Sequence, residues 1–265
     1  MNGLELRKLE NGSLIFEPHE YVGKEPDTKF LYLTIRKIAN EFGIHTNVAS
    51  FLCSDEENGL ERVKRSFYFS KVFASDIVGP MVLSQPTHVA KNPGHSSSIF
   101  IVCGHIGMYK NMEDGRLLYG KIESERDEVT RPTCGAIYHV MQRFLGKEAP
   151  ENIQSWDVDL IGKIGEELYP FKEEFLKEYS SGKDDLEKLS IGLKYLVFKN
   201  VDVQVNRLLR LLTSSQHNRK KDEQLPKLVF GAVTINRYKY SDTTLLTQAF
   251  LIKDGKSSDL SKNKC

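Results

Sequence analysis

Three residues far apart in the chain carry side chains suited to a divalent metal. Cys53 closes the apolar run NVASFLC, His105 follows the apolar run SIFIV within CGHIG, and Cys134 stands in RPTCGAIYHV. Two thiolates and one imidazole leave one position of a tetrahedral zinc ion open, as in catalytic rather than structural zinc sites. A thiolate at a helix start is further stabilised by the backbone N–H groups there. Asp55, two residues after Cys53, is a carboxylate within reach of such a metal or of its water. The spacing alone leaves two other readings open. Free cysteines are often small buried apolar residues, and His105 is then a satisfied loop histidine. Alternatively Cys134 is a nucleophile with His105 as its base, although no oxyanion or triad signature accompanies them.

The remaining candidates have plainer readings. Cys103, two before His105, shares its strand face and reads as core. His139 falls off the ligand face of the helix that Cys134 opens and reads as structural. His88 and His95 sit in a polar loop, where they could shuttle protons or simply be solvated. Cys265 ends the chain with no role to argue.

These residues need elements to position them. Apolar residues at helical spacing predict a helix over 26–42, with Asp27 as its cap and Gly43 after it. Asn47 to Cys53 reads as a buried strand. Leu60 to Phe73 reads as partly helical, Val78 to Leu83 as a strand, and Ser84 to Ser98 as a loop. Ser98 to Val102 is a buried strand, so Cys53 and His105 both fall where strands end. Arg116 to Ile122 reads as a strand and Cys134 to Leu145 as a helix. The helical period then persists over 156–214, through Leu186, Leu189, Leu193 and Leu196 to Val205, Leu208, Leu209 and Leu212. Leu228 to Asn236 reads as a strand with Leu245 to Ile252 as its partner. Alternating strands and helices predict an α/β class, a mainly parallel central sheet flanked by helices, in a single domain over 1–254. Ligands in such sheets sit beyond the carboxyl ends of strands. The polar segment 255–265 is expected to be a disordered tail.

Composition narrows the class. The chain has 265 residues, 40% hydrophobic and 28% charged, enough for a sizeable core without staples. With 37 basic and 36 acidic residues the net charge is +1, which offers no electrostatic basis for nucleic acid or an anionic membrane. No signal-type segment opens the chain, and no run of about 18 apolar residues could span a bilayer. Four scattered cysteines are not a disulfide framework. The expected setting is a reduced cytoplasm, where thiols are free to bind metal.

Four segments carry a family likeness: CSDEEN (53–58), GHIG (104–107), DGRLLYGKI (114–122) and TCGA (133–136). On these, Cys53 to Val140 resembles the limiting-CO2-inducible protein B family, divergent β-type carbonic anhydrases also related to the theta class. The late strand VFGAVTIN is similar to one of theirs. The resemblance implies a β-carbonic anhydrase-like fold, Zn2+ on Cys53, His105 and Cys134, and reversible hydration of CO2 to bicarbonate. It also implies that Asp55 orients the metal-bound water or closes onto the metal, that an arginine holds Asp55, and that the chain forms a homodimer. Arg62 is nominated for that role, with Arg65 as the other choice. The chain departs from the family pattern at Gly104, where proline is usual, and at Glu57, where the β-type arginine would stand. A zinc-binding homologue without turnover, acting as a CO2- or bicarbonate-linked binding or assembly protein, is the alternative this implies.

Overall fold

A computed structural model of the chain describes residues 2–8, 14–20, 28–44, 47–53, 71–77, 98–111, 113–123, 130–132, 134–147, 155–214, 225–237 and 243–260. An antiparallel hairpin of β1 (Asn2–Lys8) and β2 (Leu14–Glu20) precedes α1 (Thr28–Glu41). Then follow β3 (Asn47–Cys53), β4 (Lys71–Ile77), β5 (Ser98–Lys110), β6 (Leu117–Tyr119), β7 (Lys121–Glu123) and β8 (Thr130–Pro132). Four helices come next: α2 (Gly135–Phe144), α3 (Ser155–Leu168), α4 (Lys172–Ser180) and α5 (Asp185–Thr213). The chain finishes in β9 (Lys227–Arg237), β10 (Thr243–Lys253) and β11 (Lys256–Asp259).

The central sheet has the order β11-β10-β9-β5-β3-β4, with β6 paired to the end of β5. β9, β5, β3 and β4 run parallel, whereas β10, β11 and β6 are antiparallel to their neighbours. The sheet is therefore mixed, not mainly parallel. Counting the β1–β2 and β7–β8 ribbons, antiparallel pairings are the majority among the described residues. The reason is local. β10 follows β9 after a five-residue link, 238–242, too short for a helical crossover, so the chain can only turn back. The same holds for β11, which turns back through Asp254 and Gly255, both at positive φ (51° and 73°). Lys256 to Asp259 are thus a paired strand rather than part of a disordered tail. Lys71 to Phe73 open β4 rather than ending a helix, and Val78 to Leu83 lie outside the described residues.

Alternation along the strands divides the core in two. Ile99, Ile101 and Cys103 of β5 join Phe230 and Ala232 of β9 under Ile35, Ile38 and Ala39 of α1. Phe100, Val102 and Ile106 face the other way, against α2, α3, α4 and α5. The α5 stripe of Leu193, Leu196, Val197, Val201, Val205, Leu208 and Leu212 repeats at helical spacing and is buried along its length. Leu186, at the start of the expected stripe, is exposed.

α5 begins at a reciprocal cap. The Asp184 carboxylate accepts from the Glu187 N–H at 2.8 Å, and the Glu187 carboxylate accepts from the Lys183 N–H at 3.0 Å. The Glu187 N–H, followed by the Arg116 guanidinium, holds the Asp184 carboxyl below the usual carboxylate range. Arg116 bridges Asp184 (2.7 Å) and Asp114 (2.6 Å), tying the β5–β6 hairpin to the head of α5. The Tyr119 N–H donates to Ser190 Oγ at 2.7 Å, and Gly120 (φ 103°) lies so close to Leu193 that a Cβ would overlap its side chain. β6 is therefore fixed on α5 by three separate contacts.

Farther along α5, Asp202 accepts a hydrogen bond from Gln248 Nε2 of β10 at 2.9 Å. Burial raises its carboxyl above the usual range, and Lys199 only partly offsets this. A raised carboxyl favours the protonated folded form, so its contribution to stability falls as pH rises from the ordinary Asp value through the folded one. Asp202→Asn keeps an acceptor for Gln248 and removes that cost. The variant is expected to unfold at higher denaturant concentration than wild type at pH 7, with the difference vanishing below about pH 4. Denaturant midpoints measured across pH check this; equal midpoints at pH 7 would show that Asp202 ionises at no cost.

Candidate metal centre

The site takes shape where neighbouring strands differ in length. β3 pairs with β5 from Asn47↔Ser98 to Leu52↔Cys103 and ends one residue later at Cys53. β5 continues to Lys110, and on its other side β9 stays paired through Met108↔Arg237. On the β3 side, β6 takes up the edge of β5 only from Met108↔Tyr119, with the Gly120 N–H donating to Gly107 O at 2.9 Å. Among the described residues no strand is hydrogen-bonded to that edge at Gly104 to Ile106, a gap in the ladder between the end of β3 and the end of β6, although β7, which continues from Gly120, lies close to β5. His105 is the middle residue of the gap. The CGHIG segment is not a turn after a strand, as its glycines suggest, but the interior of a 13-residue strand. His105 ends no strand; it lies level with the end of its neighbour.

His105 is fully buried. Its Nε2 makes no hydrogen bond to a described protein atom, and the residue takes part in other polar contacts. Strand alternation puts it on the face of Cys103. Cys103 itself is buried in the α1 layer, its thiol 3.3 Å from Thr234 Oγ1 and 3.3 Å from Gly104 O. The core reading of Cys103 fits that packing.

Cys134 reaches the region by another route. After β6 the chain turns at Gly120 and runs out along β7. It returns along β8, with Lys121↔Pro132 in register, and enters α2. Cys134 is the residue before α2, 1% exposed, in the apolar cluster that holds Val102 and Ile106. Its backbone is left-handed, at φ 50° and ψ 79°, and its thiol does not cap the helix. A buried non-glycine residue in that conformation is strained by roughly 1 kcal/mol or more. Glycine would be the unstrained choice for a packing role alone, so a thiol held there against strain fits a ligand role.

Of the expected ligands, the backbone of Cys53 is placed beside the gap, His105 in its middle, and Cys134 at the head of α2. Two soft sulfur donors and an imidazole suit zinc. Among the described residues no cluster of three or more His, Cys, Asp and Glu side chains forms a metal site. The Cys53 side chain is not among the described ones, and Asp55, Arg62, Arg65, Glu57, His88, His95 and Cys265 lie outside the described residues. His139 lies along α2, half-buried and edge-on to Tyr138, with burial lowering its pKa. The residue that the sequence reading passed over is Thr234, directly opposite His105 on β9. Its only signal was a polar residue in the apolar run LVFGAVTIN.

No known family model matches the sequence, and no curated protein matches it. Solved structures do. PtLCIB4, a homolog of the limiting CO2-inducible protein LCIB, is 20% identical, over 88% of this chain and 94% of that one, with a TM-score of 0.66. LCIB itself is 15% identical, over 90% and 98% of the two chains, with a TM-score of 0.58. At these identities the likeness shows a shared fold. The resemblance read from Cys53 to Val140 thus extends, as fold, across most of the chain. A β-carbonic anhydrase from Coccomyxa superposes less closely, with a TM-score of 0.44.

The strain at Cys134 has a measurable consequence. In metal-free protein, Cys134→Gly is expected to be more stable than Cys134→Ala by about 1 kcal/mol, because only glycine adopts the left-handed conformation freely. Chemical unfolding of the two variants in the presence of chelator measures the difference. An alanine variant as stable as the glycine one would mean that the backbone relaxes out of that conformation.

Proposed function

We propose that this chain is a zinc-dependent carbonic anhydrase-type enzyme that hydrates CO2 reversibly to bicarbonate, with Cys53, His105 and Cys134 as the metal ligands. The observation that carries the reading is the break in pairing at Gly104 to Ile106, where the fully buried His105 stands two residues past the last β3–β5 pair, Leu52↔Cys103. Cys134, buried and held in a strained conformation at the head of α2, belongs to the cluster that holds Ile106. The LCIB-like fold supports it, as do the CSDEEN, GHIG and TCGA segments.

Zinc bound there would bring the pKa of a coordinated water to about 7, making hydroxide available at neutral pH. The protein's own residues do the rest. Cys53 and Cys134 would hold the metal as thiolates, and His105 as a neutral imidazole from a buried strand that limits its movement. Asp55 would accept a hydrogen bond from a water at the site and orient it toward CO2, or would serve as a further ligand to the metal. Arg62 keeps that carboxylate ionised and in place. The reading includes the single domain, the homodimer and the cytoplasmic setting expected from the sequence. Among the described residues no helix is long and apolar enough to cross a membrane.

Glu57 favours a second reading. It places a carboxylate, not an arginine, two residues after Asp55. A second negative charge there opposes ionisation of Asp55. On that reading the chain keeps zinc and loses turnover, serving as a CO2- or bicarbonate-linked binding or assembly protein.

Purified protein from metal-replete cells is expected to carry about one zinc per chain. Cys134→Ser is expected to lose it, and metal analysis of both checks this. Metal-free wild type would overturn the whole reading, and a fully loaded Cys134→Ser would remove Cys134 from the ligand set. In the loaded protein, Asp55→Asn and Arg62→Ala should retain zinc and lose CO2 hydration, because an amide lacks the charge that orients the water. Asp55→Asn turning over at the wild-type rate would end the mechanism. A zinc-loaded but inactive wild type would establish the second reading.

A further inference from the structure

Two glycines in the interior of α3 answer to no close contact within the chain. Glycine is the poorest helix former after proline, so inside a helix it usually marks a place where something packs too near for a side chain. Gly192 of α5 is of that kind: a Cβ there would come within 2.9 Å of the Tyr179 ring. Gly231 of β9 is another, with Thr247 Oγ1 at 2.9 Å. Gly162 and Gly165 differ. A Cβ on Gly162 would meet nothing nearer than Arg143 Nη1 at 3.9 Å, and one on Gly165 nothing nearer than Arg143 Nη1 and Val140 Cγ2, both at 3.9 Å. Alanine would fit at either position and would strengthen the helix.

What the two glycines leave is space. Three residues apart, they share one side of α3 and form part of the wall of a 380 Å³ groove between α2 and α3. That volume lies within the range of about 300–1,000 Å³ in which small-molecule sites fall. Val140 and Phe144 of α2 add apolar surface. Tyr169, just after α3, also lines the groove, its ring 6.4 Å from that of Phe144 and edge-on to it. This tyrosine is 64% exposed, a large aromatic surface left uncovered. Two cations line the groove, Arg143 and Lys172, against one carboxylate, Glu166. Lys172 Nζ stands 5.9 Å from the centre of the Tyr169 ring and 6.0 Å from that of Phe144. Among the described residues Arg143 has no ion pair and no side-chain hydrogen bond. Its guanidinium lies beside both glycines, with its donors unused by the protein.

We propose that this groove binds a small organic anion with a flat apolar body, an aromatic carboxylate. The body lies on the surface that Gly162 and Gly165 leave bare, between Val140, Phe144 and Tyr169. The carboxylate takes the parallel N–H donors of Arg143, whose planar fork matches it in shape. The excess of cations over carboxylates in the groove favours an anion over a cation. The site is separate from the candidate metal centre and does not depend on the zinc reading. Arg143 follows Cys134 by nine residues, roughly 13 Å along the axis of α2.

Naphthoate serves as the probe, with naphthylmethanol as its uncharged counterpart, each titrated into the full chain by calorimetry. Wild type is expected to bind naphthoate saturably, below about 1 mM, and more tightly than naphthylmethanol. Gly162→Leu fills the groove from its glycine wall and is expected to weaken both probes at least about tenfold. Leucine is the better helix former, so the variant should melt no lower than wild type, which separates lost binding from lost folding. Should Gly162→Leu fold poorly, Gly165→Ala, whose methyl sits at ordinary contact distance, should still weaken both probes. Arg143→Gln is expected to weaken naphthoate about threefold to fivefold, as for a partly exposed charge pair, and to leave naphthylmethanol unchanged. Wild type without saturable binding overturns the proposal. So does naphthoate binding that neither glycine substitution alters, because the probe then sits elsewhere, on a metal at the candidate centre for example. An unchanged preference for naphthoate in Arg143→Gln overturns it as well. Wild type that refuses the probe while Gly162→Leu sediments differently would give the groove to a second copy of the chain, and the proposal would fall.

Discussion

β5 outruns β3, and most of what is distinctive in the molecule follows from that mismatch. In a complete sheet the backbone of His105 would be flanked by strands on both sides, and its side chain would be one more element of a closed layer. Because β3 stops at Cys53 and β6 ends opposite Met108, the described residues leave one edge of β5 without a ladder partner over Gly104 to Ile106. Parallel strands leave such openings at their carboxyl ends, which is why ligands collect there in α/β folds. The interruption also relaxes a rule of sheets. Strand alternation puts His105 on the α1 face, while Cys134 belongs to the cluster on the α2 face. Side chains from opposite faces of an intact sheet cannot share a ligand, but at an opening between strands they can.

This break in the ladder is bounded by fixed elements. Its far lip is β6, and β6 is fastened to α5 by the Arg116 bridge to Asp184, by Tyr119 N–H on Ser190 Oγ, and by the close approach of Gly120 to Leu193. Arg116 is partly exposed, so the bridge sets position more than it adds stability. The larger share of rigidity comes from the apolar layers on the two sides of β5, where Ile101 and Val102 are both at most 2% exposed. Close packing on both faces leaves the strand little freedom to slide, so the position of His105 is set by many small contacts rather than by one bond.

A dry interior also sharpens the chemistry available. Buried polar groups are costly unless bonded, so the imidazole, the Cys134 thiol and the Thr234–Thr244 hydroxyls are each expected to have a partner or a purpose. The left-handed backbone at Cys134 is a further local cost, offset by the packing of α2 behind it. Strain and buried polarity in one region are the usual mark of a functional site in an otherwise well-packed fold.

The sequence by itself determined several of the elements and the chemical identity of the candidate ligands, but not β1, β2, β4, β8 or β11. β3, α1, α5, β9 and its partner β10 were legible because each has a clear hydrophobic period or run, and because Gly43 marks the end of α1. Cys53, His105 and Cys134 were legible as residue types, and their resemblance to a carbonic anhydrase family supplied a joint role for them. Tertiary structure alone decided how the strands lie together. Whether β9 and β10 pair parallel or antiparallel depends on the length of the link between them, which an apolar period does not encode. The glycines around His105 suggested a turn, but pairing with β9 keeps that segment extended. The polar residues after Asp254 read as disorder, yet four of them form a strand because β10 offers them an edge. The place of Thr234 beside His105 was beyond any reading of spacing, since the two are joined only by the register of strands far apart in the chain. Register is set by the packing of whole faces, and a face exists only once the sheet has formed.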